Sequence, residues 1–377
     1  MIYFDNAATT SMDERLLDVI KEYSCYNFFN PSASYKQGFE VLNIINKSKR
    51  QILSILNAGK NDNIIFTGSA TEANNLALFG GLTKRYKKVL VSSGEHSSSY
   101  RVSQILAEMG YIVEYIALES DGRLSIEDLK NKLTDDVGLV SFIHVSNETG
   151  AINDAKTICE IVKSFNKRIL VHCDGVQAFS KIDVDLNDIG VDLYTISGHK
   201  VHGPKGIAGL FVKNSVNLKP ILFGGMQQGG LRAGTENIPS IVAFAEVTKF
   251  FDIENNFKKV SSLKQKLLEL ISKNSNIVVN SNCECSPYIV SLTLKGVNGE
   301  TIVHILEEKD ILISTGSACS SHSKGNRVLE QMNVKASDVK GSIRVSFGAQ
   351  NTIEEVESFA EILLREYESL YKKVNRC

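Results

Sequence analysis

Five short apolar runs punctuate the first two hundred residues: Asn63-Ile-Ile-Phe-Thr67, Lys88-Val-Leu-Val-Ser92, Val137-Gly-Leu-Val-Ser-Phe-Ile-His144, Ile169-Leu-Val-His172 and Asp192-Leu-Tyr-Thr-Ile-Ser197. Such continuous runs belong to strands covered on both faces. Between them, helical spacing of apolar positions predicts helices over 71–86, 97–109, 125–133 and 155–166. This alternation predicts an α/β fold with a mostly parallel sheet. Ligands of such sheets bind at the carboxyl ends of the strands. Thr67, His96, Asn147, Asp174 and Lys200 all fall at or just past those ends, which points to one shared site.

After about residue 240 the pattern changes. A helical stretch over roughly 240–273 carries Phe250, Phe251, Phe257, Leu263, Leu267 and Leu270. Short strands follow at 288–293 and 341–347, with helices near 299–308 and 352–372. The expectation is a large α/β domain over 16–245 and a smaller α+β domain built from 1–15 and 246–377.

Composition narrows the class. Of 377 residues, 43% are hydrophobic and 23% charged, as in a globular chain with a large core. A net charge of −1 gives no sign of a nucleic-acid or membrane-surface partner. No apolar stretch approaches the ~20 residues of a membrane span. Met1-Ile-Tyr-Phe-Asp-Asn has neither the basic nor the apolar part of a secretion signal, so a cytoplasmic address is expected. The seven cysteines, at 25, 159, 173, 283, 285, 319 and 377, are odd in number and irregularly spaced, which argues against a disulfide framework. Most are expected as buried small hydrophobes.

Candidate chemistry centres on Leu170-Val-His-Cys-Asp-Gly-Val-Gln177 and Thr195-Ile-Ser-Gly-His-Lys-Val-His-Gly-Pro-Lys-Gly206. One apolar run delivers Asp174 and the next delivers Lys200. Pyridoxal 5′-phosphate (PLP) needs such a pair: an amine for a Schiff base and a carboxylate against its pyridine nitrogen. Gln177 could bond the ring oxygen. In Phe66-Thr-Gly-Ser-Ala-Thr-Glu-Ala-Asn-Asn75 a small-residue turn opens a helix, and free N–H groups there favour a phosphate. Thr71 would add a hydroxyl or serve as the helix cap. His96 could stack on a planar cofactor and shuttle protons near neutral pH. Arg344, in a C-terminal apolar strand, suits a substrate carboxylate or a structural ion pair. Ile313-Ser-Thr-Gly-Ser-Ala-Cys-Ser-Ser-His-Ser-Lys-Gly325 reads as an exposed, mobile loop presenting Cys319, with His322 and Lys324 favouring its thiolate. No Walker A loop or dinucleotide fingerprint occurs. His199, His202 and Cys283-x-Cys285 lie on separate segments, and no metal site is expected.

Together these segments resemble cysteine desulfurases of the NifS/IscS type, within the class V aminotransferase-like, fold-type-I PLP enzymes. The likeness runs from Tyr3-Phe-Asp-Asn-Ala-Ala-Thr-Thr10 through Thr71-Glu-Ala-Asn-Asn75, His144-Val-Ser-Asn-Glu148 and Leu231-Arg-Ala-Gly-Thr-Glu-Asn237 to Ser314-Thr-Gly-Ser-Ala-Cys319 and Gly341-Ser-Ile-Arg344. The resemblance implies roles residue by residue. Lys200 matches the Schiff-base lysine, Asp174 the pyridinium partner and Gln177 the ring-oxygen donor. His96 matches the stacking, proton-shuttling histidine. Ala70, Thr71, Ser197 and His199 match phosphate contacts. Thr235 matches a threonine that reaches the other subunit's phosphate, implying a homodimer. Asn147 and Arg344 match substrate-orienting residues, and Cys319 the sulfur-receiving nucleophile. The implied reaction takes L-cysteine to L-alanine and leaves a persulfide on Cys319. The sulfur would pass to an iron–sulfur scaffold protein or a tRNA-thiolation enzyme.

Some positions depart from the pattern. Tyr35 stands where a histidine often follows Asn-Pro-Ser, and Gly224-Gly-Met-Gln-Gln-Gly-Gly230 replaces a segment that usually carries a charge pair. A slightly short Cys319 loop and an ending at Asn375-Arg-Cys377 leave the acceptor open. Two other readings stand beside this one. Another PLP enzyme of the same fold, such as a selenocysteine lyase or an aminotransferase, is the first; transamination has no use for the thiol. A non-catalytic sulfur-relay subunit is the second; it would have no use for Lys200, Asp174 and Arg344 together.

Overall fold

Successive residues of the central strands enter different cores. Ile64 and Phe66 pack into one hydrophobic cluster and Ile65 into another. Leu90 and Phe142 join the first, while Val89, Val91 and Leu139 join the second. That division follows from the period-2 geometry of a strand whose two faces are both covered. Helices 36–55, 155–165 and 238–247 supply the first cluster, and helices 70–81 and 97–108 the second.

The computed structural model describes residues 1–82, 86–281, 285–315 and 326–374. Its strands are β1 (Ile2–Tyr3), β2 (Asn63–Thr67), β3 (Lys88–Ser92), β4 (Ile112–Ile116), β5 (Val137–Ile143), β6 (Leu170–Asp174), β7 (Leu193–Ser197), β8 (Ala208–Val212), β9 (Ile277–Val279), β10 (Ile289–Leu294), β11 (Ile311–Leu312) and β12 (Ser342–Ser346). Seven form one sheet in the order β2-β8-β7-β6-β5-β3-β4. Only β8 in that sheet runs against the rest. The carboxyl ends of β2, β3, β5, β6 and β7 therefore share one edge, and the candidate residues collect there.

A separate core surrounds the antiparallel sheet β12-β10-β9, with helices 253–271, 299–307 and 353–374. The first residues of the chain belong to it. β1 pairs with β11, and Phe4 packs edge-on against Phe347 and Phe359, at 5.0 and 5.5 Å between ring centroids.

Several boundaries differ from the sequence expectation. The helix expected over 71–86 is Ala70–Gly81, and Ser69, not Thr71, caps it by accepting from Glu72 N at 3.2 Å. The stretch 240–273 is two helices, Ile238–Val247 and Ile253–Ile271, because Asp252 starts a new one by capping Asn255 N. Strands β4 and β8 and the 20-residue helix Lys36–Ile55 carried no expectation.

Candidate active site

Asp174 ends β6 and is 2% exposed. Its Oδ2 accepts from Asn74 Nδ2 at 2.8 Å and its Oδ1 from Val176 N at 3.1 Å. Asn74 also donates to Ser98 Oγ at 2.8 Å, tying helix 70–81 to both β6 and helix 97–108. Gly175 follows Asp174 for a steric reason. A Cβ there would lie 2.0 Å from the Tyr194 ring, whose hydroxyl bonds His144 Nδ1 at 2.7 Å.

Lys200 sits just past β7, in the single 3-10 turn Gly198–Lys200. Its Nζ donates to the carbonyls of Ala7 and Ala8 at 2.7 and 2.6 Å, so the N-terminal segment reaches the site. Gln177 Nε2 also donates to Ala7 O, at 2.9 Å, and its Oε1 accepts from Lys181 Nζ at 2.8 Å. His199 Nδ1 lies 3.1 Å from Thr9 Oγ1. Burial, then Lys200 and two further lysines, pull His199 down to about 4, so it is neutral at pH 7.

His96 caps helix 97–108, with Nδ1 accepting from Ser98 N at 3.2 Å and lying 2.8 Å from Ser98 Oγ. Burial lowers its pKa, against the pull of Asp174, and Lys200, Arg327 and Arg344 lower it further. The imidazole is thus neutral and can accept a proton. Beside it Glu95 is 1% exposed. Burial first, and the Asp174 charge next, raise it to about 8. Ser141 Oγ donates to Glu95 Oε1 at 2.7 Å and lies 2.9 Å from His172 Nδ1, while His172 Nε2 is 3.1 Å from Thr195 Oγ1.

Arg344 lies in β12 and is 4% exposed. Its guanidinium donates to Asn147 O and to Asp5 Oδ1, both at 2.9 Å. The structural ion pair and the approach to the site therefore coexist. Asn147 Nδ2 is bonded to Glu148 Oε1 at 2.8 Å. Thr235 is exposed and lines a smaller cavity of about 180 Å3 with Thr67, Gly68 and Gln228; Lys200, Asp174 and His96 are not among that lining. Gln228, in the departing glycine-rich segment, accepts from Phe66 N at 3.1 Å and donates to Glu236.

Cys319 lies in segment 316–325, outside the described residues, as do Cys283 and Cys377. Both flanks of that segment are fastened to the site. Ser314 and Arg344 exchange backbone hydrogen bonds at 3.2 and 2.6 Å. Asn326 Nδ2 donates to Glu148 Oε2 at 3.1 Å, and Arg327 donates to the carbonyls of Ser93 and Glu95. Of the other cysteines, 159, 173 and 285 are buried, as expected for most of them, and Cys25 is exposed.

Sequence reasoning assigned no role to Asn74, Glu95 or Lys181. Each had a positional signal: Asn74 is one turn on from Ala70, Glu95 adjoins His96, and Lys181 follows Gln177 by four.

The donor set fits PLP. Ser197 Oγ is buried without a partner among the described residues. The N–H groups of Ala70 and Thr71 open helix 70–81 without an acceptor among them. These suit a phosphate, while Asp174 and Lys200 suit the pyridinium nitrogen and the aldehyde carbon.

A parallel α/β sheet with an Asp–Lys pair and an anion cradle at its carboxyl edge defines a PLP-dependent enzyme. The aminotransferase class-V family model matches residues 2–359, and the chain belongs to that family. Over 386 aligned positions it is 35% identical to "Cysteine desulfurase IscS 1" of Archaeoglobus fulgidus, covering 99% of this chain and 100% of that one. It is also 35% identical to a "NifS/IcsS protein homolog" of Lactobacillus delbrueckii subsp. bulgaricus, over 100% of this chain and 99% of the relative. A solved "NIFS-LIKE PROTEIN" superposes with a TM-score of 0.92 at 30% identity, covering 98% of this chain and 100% of the other.

Proposed function

We propose that this protein is a cysteine desulfurase, taking L-cysteine to L-alanine and leaving the sulfur as a persulfide on Cys319. The observation that carries the reading is the fastening of both flanks of the Cys319 segment, one to Arg344 and the other to Glu148 and to the backbone beside His96. PLP, when bound, supplies an electron sink for the substrate α-carbon. Asp174 holds a negative charge for the ring nitrogen, fixed by Asn74. Lys200 Nζ holds and returns the α-proton, and the neutral His96 imidazole takes the one proton of the Cys319 thiol, which then goes to the carbon that loses sulfur. Arg344 and Asn147 orient the substrate carboxylate. Cys319 Sγ attacks the substrate sulfur: one S–S bond forms, one C–S bond breaks, and the carbon takes a proton to become alanine.

In this reading two copies of the chain pair, with Thr235 reaching the other copy's phosphate contacts. Support comes from Phe223 and Met226, apolar side chains 82% and 80% exposed on the loop before Thr235. The sulfur acceptor is an iron–sulfur scaffold or a tRNA-thiolation enzyme, and the site of action is the cytoplasm. Among the described residues no helix is long and apolar enough to cross a membrane. Residues 16–245 are proposed as the large domain, and 1–15 with 246–377 as the small one, in keeping with their separate cores.

The test measures alanine and sulfide made from L-cysteine under a reductant. Cys319→Ala should lose both while keeping cofactor absorbance, and Lys200→Ala should lose the imine absorbance too. Full alanine output from Cys319→Ala would overturn the reading and favour a lyase that needs no protein thiol.

A further inference from the structure

A second cleft, of about 350 Å3, has Lys200 in its lining. Its lining includes Lys200 but not Asp174, His96, Ala70 or Thr71, so it meets the cofactor residues at one side chain. Phe250, Phe251, Tyr288 and Phe347 make an aromatic part of its wall, and Lys181 is also part of its lining, with Asn6, Thr10, Asn256 and Gln350.

Lys181 is the unusual group. It is 6% exposed, and a buried ammonium is ordinarily matched by a carboxylate. Here, among the described residues, its hydrogen-bond acceptor is the Gln177 side-chain oxygen at 2.8 Å, an uncharged group. The Tyr288 ring lies 5.8 Å away. Burial first, and then the cations Lys200 and Arg344, bring it to about 7. His202 and Asp13 also line the cleft, but Asp13 is taken up by Arg15 at 2.6 Å. One face of the cleft therefore carries the Lys181 amine, with N–H groups beyond the one given to Gln177, beside a wall of aromatic rings, while Asn6, Thr10, Asn256 and Gln350 add neutral polar groups. That is the composition of a site for a small organic anion: one charge to fix, one flat apolar body to bury.

We propose that this cleft binds a small monoanionic carboxylate with an apolar or aromatic body, its carboxylate seated on Lys181. The occupant is felt at the active site through a short chain of contacts. Lys181 holds Gln177 Oε1 and Gln177 Nε2 holds Ala7 O, the carbonyl that also receives Lys200 Nζ when that amine is not engaged by the cofactor. Drawing the Lys181 ammonium toward a carboxylate loosens its hold on Gln177, and with it the shared carbonyl. The inference does not rest on the sulfur chemistry and holds for any PLP reaction at Lys200.

The chain contains no tryptophan, so Phe250→Trp places a single indole reporter on the wall of the cleft. Benzoate is titrated into this holoenzyme variant while its fluorescence is followed. Saturable binding with a Kd on the order of 1 mM is expected for a ligand of that size. Adding Lys181→Met should weaken it at least tenfold. Benzyl alcohol, with the same ring and no charge, should bind at least tenfold more weakly to the Phe250→Trp protein, a comparison that needs no change at Lys181. A fluorescence response without saturation, equal affinity for benzoate and benzyl alcohol, or unchanged affinity in a folded Lys181→Met variant would each overturn the proposal.

Discussion

Glu95 keeps its proton to about pH 8 because it is buried beside Asp174. Its folded pKa is raised above the ordinary 4.5, so the stability linked to that proton is full below about 4.5 and is lost as pH rises toward 8. Glu95→Gln keeps the shape and removes the titration. Urea midpoints should therefore show the variant gaining on the wild type between pH 5 and pH 8; a constant offset would mean Glu95 does not titrate in that window. Asp174→Asn removes the charge from the ring-nitrogen position while keeping the Val176 N contact. Alanine production should fall roughly 100-fold or more, on the scale of losing one preorganised electrostatic partner, with kcat hit harder than KM. Asn74, Glu95 and Lys181 stood beside site residues in the sequence, but that signal was too weak to assign them, because polar groups are normally exposed and only the fold shows these three to be inside. Asp174 and Lys200 were legible because one ends an apolar run and the other follows the end of the next by three residues, at the same edge of the sheet.

At the scale of elements, the two carboxyl-edge turns are the sensitive parts. A methyl at Gly175 would sit inside the Tyr194 ring, and neither can retreat, since Tyr194 is fully buried and bonded to His144. Gly175→Ala should cost about 3 kcal/mol of stability and displace Asp174, read by urea denaturation and by cofactor affinity. Ser69→Ala removes the cap of helix 70–81 and should cost about 1 kcal/mol. Strands buried on both faces announced themselves as unbroken apolar runs. β4 did not, because Ile112-Val-Glu-Tyr-Ile116 is a half-exposed edge strand carrying a charge. β8 did not, because Ala208-Gly-Leu-Phe-Val212 opens with two small residues straight after a glycine-rich turn. The turn between helices 238–247 and 253–271 hid inside an apolar stretch, its cap Asp252 lying directly beside Phe250 and Phe251.

At the scale of the molecule, the active site is assembled from both ends of the chain. Asp5 pairs with Arg344 and the Ala7 carbonyl receives Lys200, so the first ten residues act as a clasp between the two sheets. If two copies pair through the Phe223 loop, a Phe223→Asp and Met226→Asp double variant should sediment as a monomer and lose alanine production. A dimer that survives both changes would place the contact elsewhere. The fastened flanks of the Cys319 segment have a further consequence. Cys319 is five residues from Ser314, so its backbone can stand no more than about 17 Å from that anchor even at full extension. Such a leash fixes a delivery radius. If Cys319 carries the sulfur as proposed, no distant recipient can be served from it: the recipient has to bring its own thiol to the doorstep, within that radius of Ser314.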